Sequence, residues 1–200
     1  MNRIPPDDSF TALLEDMRRH ETNQEFTRGG IEPLFSAVPE SKILIVGQAP
    51  GIRAQTHGLP WGDASGERLM QWLGVTETEF RDPNNFAILP MDFYYPGKGK
   101  TGDLPPRKEA AELWHPRFLA LLHDVRLTIL SGRYAQDYYL KKTRKKNLTE
   151  TVRAYRDYLP EFFPIVHPSP LNFRWHLKNP WFEEEVVPEL QRCVAEILKK

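Results

Sequence analysis

The chain predicts an α/β fold of three layers, a central parallel sheet of four strands between helices. Four short apolar runs, Ile43–Val46, Phe86–Leu89, Leu127–Leu130 and Phe162–Val166, have the length of strands buried on both faces. Segments of helical spacing alternate with them, and that alternation argues for a parallel sheet covered on both sides. The 200 residues hold no repeat, low-complexity tract or linker, so they read as a single domain, with residues 1–40 as an N-terminal extension.

The elements follow in order. Residues 7–20 read as a helix: Asp7, Asp8 and Ser9 offer N-caps, and Leu13, Leu14 and Met17 share a face. Residues 21–40 read as a loop. The first strand, 43–47, ends at Gly47-Gln48-Ala49-Pro50-Gly51, and a polar, Gly- and Pro-rich stretch leads to a helix over Glu67–Leu73. Thr76 and Glu79 have capping-box spacing. The second strand meets Pro90, which ends or bulges it. Tyr94–Pro106 is a long loop of the kind that often carries function. Arg107–His123 reads as a helix with the stripe Ala110, Leu113, Trp114, Phe118, Leu121 and Leu122. Helices are predicted at 133–140, 149–159 and 187–198.

Composition excludes several classes. With 27 basic and 27 acidic residues the chain shows no global sign of a polyanionic partner, although a local patch would suffice. One cysteine, Cys193, excludes an intramolecular disulfide framework and a four-cysteine metal site. The six histidines have no tight ligand spacing, so no metal or other cofactor is expected. The N-terminus has no apolar leader, and no segment approaches a membrane span; a soluble, cytoplasmic protein is the expectation. Neither GxGxxG nor GxxxxGK[ST] occurs.

Two loops stand out. Gly47–Gly51 follows the first strand, and His167-Pro168-Ser169-Pro170-Leu171-Asn172 follows the fourth. Ligands bind beyond the carboxyl ends of such strands, and two stiff loops brought together there would wall a pocket. Taken alone, each also fits an ordinary connection.

Together, GQAPG, then THGLPWGDASG (Thr56–Gly66), then HPSPLN resemble the uracil-DNA glycosylase superfamily. The GDASG segment is most similar to the bacterial and archaeal branches that carry GDxSG, and the Tyr95-Pro96-Gly97-Lys98 loop resembles a group of bacterial members. The resemblance spans roughly residues 40–195 and implies that family's fold, a DNA partner, a monomer, and hydrolysis of the glycosidic bond of a flipped-out damaged base. Uracil is the expected base; hypoxanthine, xanthine or a catalytically silent DNA-binding member are the alternatives. The resemblance implies His167 as the donor that stabilises the departing base anion, helped by Gln48, with Ala49 beside it in the base pocket. It implies Trp61 as the stacking face, which otherwise reads as a core tryptophan. Leu171 would be the wedge that fills the vacated stack. Pro50, Gly51, Ser169, Pro170, Asn172, Lys98 and Arg174 would contact DNA.

Three departures accompany the resemblance. Ala49 stands where many relatives carry Asp or Asn, so Asp63 is the candidate acceptor for the attacking water, with a helix N-cap as its other reading. The second strand contains no asparagine to read uracil's edge, and Asp92 is the candidate in its place. Tyr94 stands where some relatives carry a cluster cysteine. Lys141–Lys146 (KKTRKK) fits either a solvated helix end or a phosphate contact.

Overall fold

A computed structural model describes residues 6–100 and 102–199, with side chains from Phe10 onward. The cap candidates Asp7, Asp8 and Ser9 lie outside the described side chains. The strands are β1 (Ile43–Val46), β2 (Phe86–Ile88), β3 (Leu127–Ser131) and β4 (Phe162–Ile165), all parallel, in the order β2-β1-β3-β4. Alternate residues of each strand face opposite layers. Ile43, Ile45, Phe86, Ile88, Ile129, Phe163 and Ile165 pack with α4 (Ala64–Leu73), α5 (Glu77–Arg81) and α10 (Val187–Leu198). Leu44, Val46, Ala87, Leu89 and Leu130 pack with α1 (Pro6–Arg19), α6 (Lys108–Leu119) and α7 (Arg133–Leu140). The predicted three-layer α/β/α architecture is therefore present.

The strand order places the switch of direction between β1 and β3. The chain leaves β1 outward to β2, then crosses through α6 to β3 on the other side. The connections that leave the carboxyl ends of β1 and β3 run to opposite sides of the sheet there, which opens a crevice. Gly132, with φ 85°, ends β3 against the fourth-strand loop: a Cβ on it would lie 3.4 Å from the His167 Cβ.

Several expectations need correction. The loop at 21–40 contains a 3₁₀ turn, Glu21–Asn23, and a short helix, α2 (Gln24–Arg28). A further short helix, α3 (Ile52–His57), runs between Gly51 and Gly58. The helix at 149–159 is shorter, α8 (Leu148–Arg153), and continues as a 3₁₀ turn, and a short helix, α9 (Phe173–Lys178), follows the fourth-strand loop. In α6 the stripe turns by one position: Leu113 is 37% exposed, while His115 is fully buried. The ring of His115 holds the Pro90 carbonyl through Nε2 at 2.9 Å and the Tyr139 hydroxyl through Nδ1 at 2.6 Å, so a polar ring sits in the core with both nitrogens partnered. The basic run at 141–146 forms a 3₁₀ turn at Lys141–Thr143, and Arg144 and Lys145 pair with Asp137 (3.0 Å) and Asp157 (2.7 Å). The Thr76–Glu79 capping box forms as its spacing predicts.

Candidate active site

At the carboxyl edge of the sheet, the loops after β1, β2 and β4 enclose a cavity of about 370 Å³. Gly47–Gly51, Trp61, Asp63 and Ser65 line it from the first segment, Ile88 and Pro90 from the second, and His167, Ser169, Leu171 and Asn172 from the last. Pro96 and Asp103 of the long loop, with Leu34, Ala54 and Pro60, complete it. The two motif loops, 116 or more residues apart in the chain, thus share one cavity.

At its centre the Trp61 and His167 rings stack, with centroids 5.4 Å apart and planes at 30°. The indole also lies on Gly47, where a Cβ would approach it to 2.8 Å, so only glycine lets the ring settle. His167 is held by its own loop: the Asn172 amide donates to its carbonyl at 2.8 Å, and the Ser169 hydroxyl caps the 3₁₀ turn Pro170–Asn172 by accepting from the Leu171 N–H at 3.2 Å. Burial pushes the His167 pKa below the ordinary imidazole value, and the Asp63 carboxylate opposes that shift. The ring is therefore neutral at neutral pH, able to donate one hydrogen bond without carrying a charge.

Asp63 caps a helix and also reaches the cavity. One oxygen, Oδ1, accepts from the Ser65 and Gly66 N–H groups (2.9 and 3.1 Å) and caps α4. The side chain also lines the cavity, and Oδ2 lies 3.6 Å from where a Gly51 Cβ would be.

The structure separates the remaining candidates. Gln48, Ala49, Pro50, Gly51, Trp61, Asp63, His167, Ser169, Leu171 and Asn172 meet at the cavity; Lys98, Pro170, Arg174 and Asp92 do not line it. Lys98 is exposed and pairs with Asp103 at 3.7 Å. Arg174 lies over the exposed Phe173 ring, 5.7 Å from its centroid. Leu171 is 81% exposed at the cavity rim.

Asp92 is the clear correction. It is 0% exposed, and both carboxylate oxygens are taken: Oδ1 by Arg107 Nη2 (2.8 Å) and the Tyr94 N–H (3.2 Å), Oδ2 by Arg107 Nε (2.8 Å) and the Arg107 N–H (3.0 Å). It joins the two feet of the long loop and reads no base. The backbone at the end of β2 is also committed: the N–H groups of Leu89, Met91 and Asp92 donate to the carbonyls of Ile45, Gly47 and Gln48. That edge presents only Ile88 and Pro90 to the cavity.

Sequence reasoning missed several contributors, Ser65, Asp103 and Arg81 among them. Ser65 stands inside the quoted GDASG segment, and Asp103 inside the long loop, so both were within reach. Arg81 lies outside every motif; its guanidinium donates to the Pro60 and Trp61 carbonyls, and no local pattern signals that contact.

A family model described as Uracil DNA glycosylase superfamily matches residues 35–191. The chain is also similar to the solution NMR structure of a Methanosarcina acetivorans protein provisionally described as a uracil DNA glycosylase. That match has 15% identity and a TM-score of 0.44, and it covers 80% of this chain and 98% of that one.

Proposed function

Because the chain belongs to the uracil-DNA glycosylase superfamily, we propose that its cavity receives one damaged base turned out of DNA and that the protein hydrolyses the glycosidic bond, with uracil as the base. The observation that carries this reading is the convergence of Trp61, His167 and Asp63 on one cavity at the carboxyl edge of the sheet.

Each group has a task that its geometry suits. A base held out of the stack needs a tight pocket, and the Trp61–His167 pair with Gln48 supplies its walls. As the bond breaks, negative charge gathers on the departing base, and a neutral His167 N–H stabilises it there. The sugar acquires oxocarbenium character, and the Asp63 carboxylate both offsets that charge and accepts from the attacking water. Ala49, whose side chain is a methyl group, contributes no side-chain acceptor, so this work falls to Asp63. No lysine lines the cavity among the described residues, so water is the nucleophile and the enzyme is monofunctional. Leu171 at the rim enters the gap left by the base, while Ser169, Pro170, Asn172, Lys98 and Arg174 face the backbone.

One observation favours a second reading. The β2 edge brings neither an amide nor a free N–H to the cavity. A pocket without that reader discriminates less by the pyrimidine edge and admits another deaminated base, hypoxanthine or xanthine.

Oligonucleotides carrying a single uracil, hypoxanthine or xanthine, single- and double-stranded, followed by alkali, separate the readings. Alkali-dependent cleavage at uracil, absent in His167→Ala, supports the first. Cleavage at a purine lesion alone supports the second. DNA binding without cleavage at any base overturns both and leaves a catalytically silent member.

A further inference from the structure

Trp61 has φ 54°, a left-handed conformation that a bulky residue adopts only when its surroundings impose it. Two groups converge on its carbonyl. Gly66, in the first turn of α4, leaves the space: a Cβ there would lie 1.8 Å from the Trp61 oxygen. Arg81, the last residue of α5, donates from Nη2 to the same oxygen at 3.4 Å and from Nη1 to the neighbouring Pro60 carbonyl. The guanidinium is largely buried, lies 5.2 Å from the Phe80 ring centroid, and has Nε 3.6 Å from the Glu77 carboxylate. Its own helix is fixed at the other end by the Thr76–Glu79 capping box and by the Asn85 amide on the Glu79 carbonyl at 3.1 Å.

We propose that Arg81 is a positioning residue: its grip on two successive carbonyls holds Trp61 in the left-handed conformation that lays the indole against His167 and shapes that wall of the base pocket. The role in excision rests on the glycosylase reading; the grip on Trp61 stands on geometry. A planar fork of donors reaches two carbonyls at once, which an ammonium does with less geometric control.

The test uses the emission of Trp61, taken as the difference between each protein and its Trp61→Phe counterpart because the chain has five tryptophans. A protonated imidazole against an indole quenches it, so acidification from about pH 8 to the lowest pH at which the protein stays folded reports His167 as a loss of Trp61 emission. Asp63 is the charged group that opposes the shift at His167, and it is unchanged in these variants. The wild-type protein shows the step, and His167→Ala abolishes it. Arg81→Ala loses most of its amplitude and slows single-turnover excision about tenfold with DNA affinity unchanged; Arg81→Lys recovers part of both. A merely structural role lowers the melting temperature but leaves the step intact in the folded protein. Should Arg81→Ala not fold, Arg81→Gln, which keeps one amide donor, carries the same comparison. An unchanged step in either folded variant, or no step in the wild type, overturns the proposal. A step altered by Arg81→Ala in a protein that excises no base leaves the positioning role standing and removes the glycosylase reading.

Discussion

Asp63 caps α4 and lines the cavity, and the cap and the proposed chemistry can be separated by substitution. Asparagine caps a helix as well as aspartate, whereas alanine forfeits about 1 kcal/mol. Asp63→Asn is therefore expected to keep the thermal stability of the wild type while losing excision, and Asp63→Ala to lose both. Equal excision by Asp63→Asn and wild type would remove the carboxylate from the chemistry and leave only the cap, with its bonds to Ser65 and Gly66. The sequence allowed both readings of this residue because an Asp before a helix serves either purpose. Asp92 is the opposite case. Its partner Arg107 lies 15 residues away, across a loop whose closure no local pattern reveals, so a buried ion pair passed for a base reader.

Among the elements, the long loop is held at its feet by that pair, and Arg107 also reaches back to the N-terminal extension. It donates to the Thr22 carbonyl at 2.7 Å and to the Asn23 side chain at 3.0 Å, and lies over the Phe26 and Tyr94 rings. Removing one partner leaves the other charge buried without compensation. Arg107→Ala is expected to destabilise by about 3 kcal/mol in denaturant unfolding; a loss of only a few tenths would show that the pair is incidental. The loop after β4 carries a prediction of the other kind. Leu171 has almost no packing to lose, so Leu171→Ala is expected to leave stability unchanged and to slow excision from duplex far more than from single-stranded DNA, where no stack needs filling. Equal slowing on both substrates would count against a wedge. Strands and long helices were legible because apolar runs and stripes carry their own period. Ile52–His57 and Gln24–Arg28 were not, since helices of six and five residues are too short to show one. Leu113 and His115 exchanged places for a related reason: the partners that make His115 a core residue, Pro90 and Tyr139, are remote in sequence.

Over the whole molecule, parallel topology was readable from strand–helix alternation, and the crossover from β2 to β3 is what turns two separated motifs into one cavity. The same core sets a response to acid. Burial pushes His115 down to about 4, and His167 also lies below its ordinary value. Unfolded, both take up a proton near pH 6.5; folded, they do so only at lower pH. Between these values the unfolded chain binds more protons, so stability is fully present above about pH 6.5 and falls as the pH drops toward 4. Urea unfolding across that range checks the sign, and His115→Gln is expected to flatten the slope; a stability that rises on acidification would contradict it. The central claim, that this cavity cuts a glycosidic bond, is tested most directly by chromatographic detection of free base released from a uracil- or hypoxanthine-containing oligonucleotide, with wild type, His167→Ala and Asp63→Asn side by side. One free base per abasic site from the wild type, and none from either folded variant, is the predicted result. Release at the wild-type rate by both variants, or no release by any of the three, would contradict it.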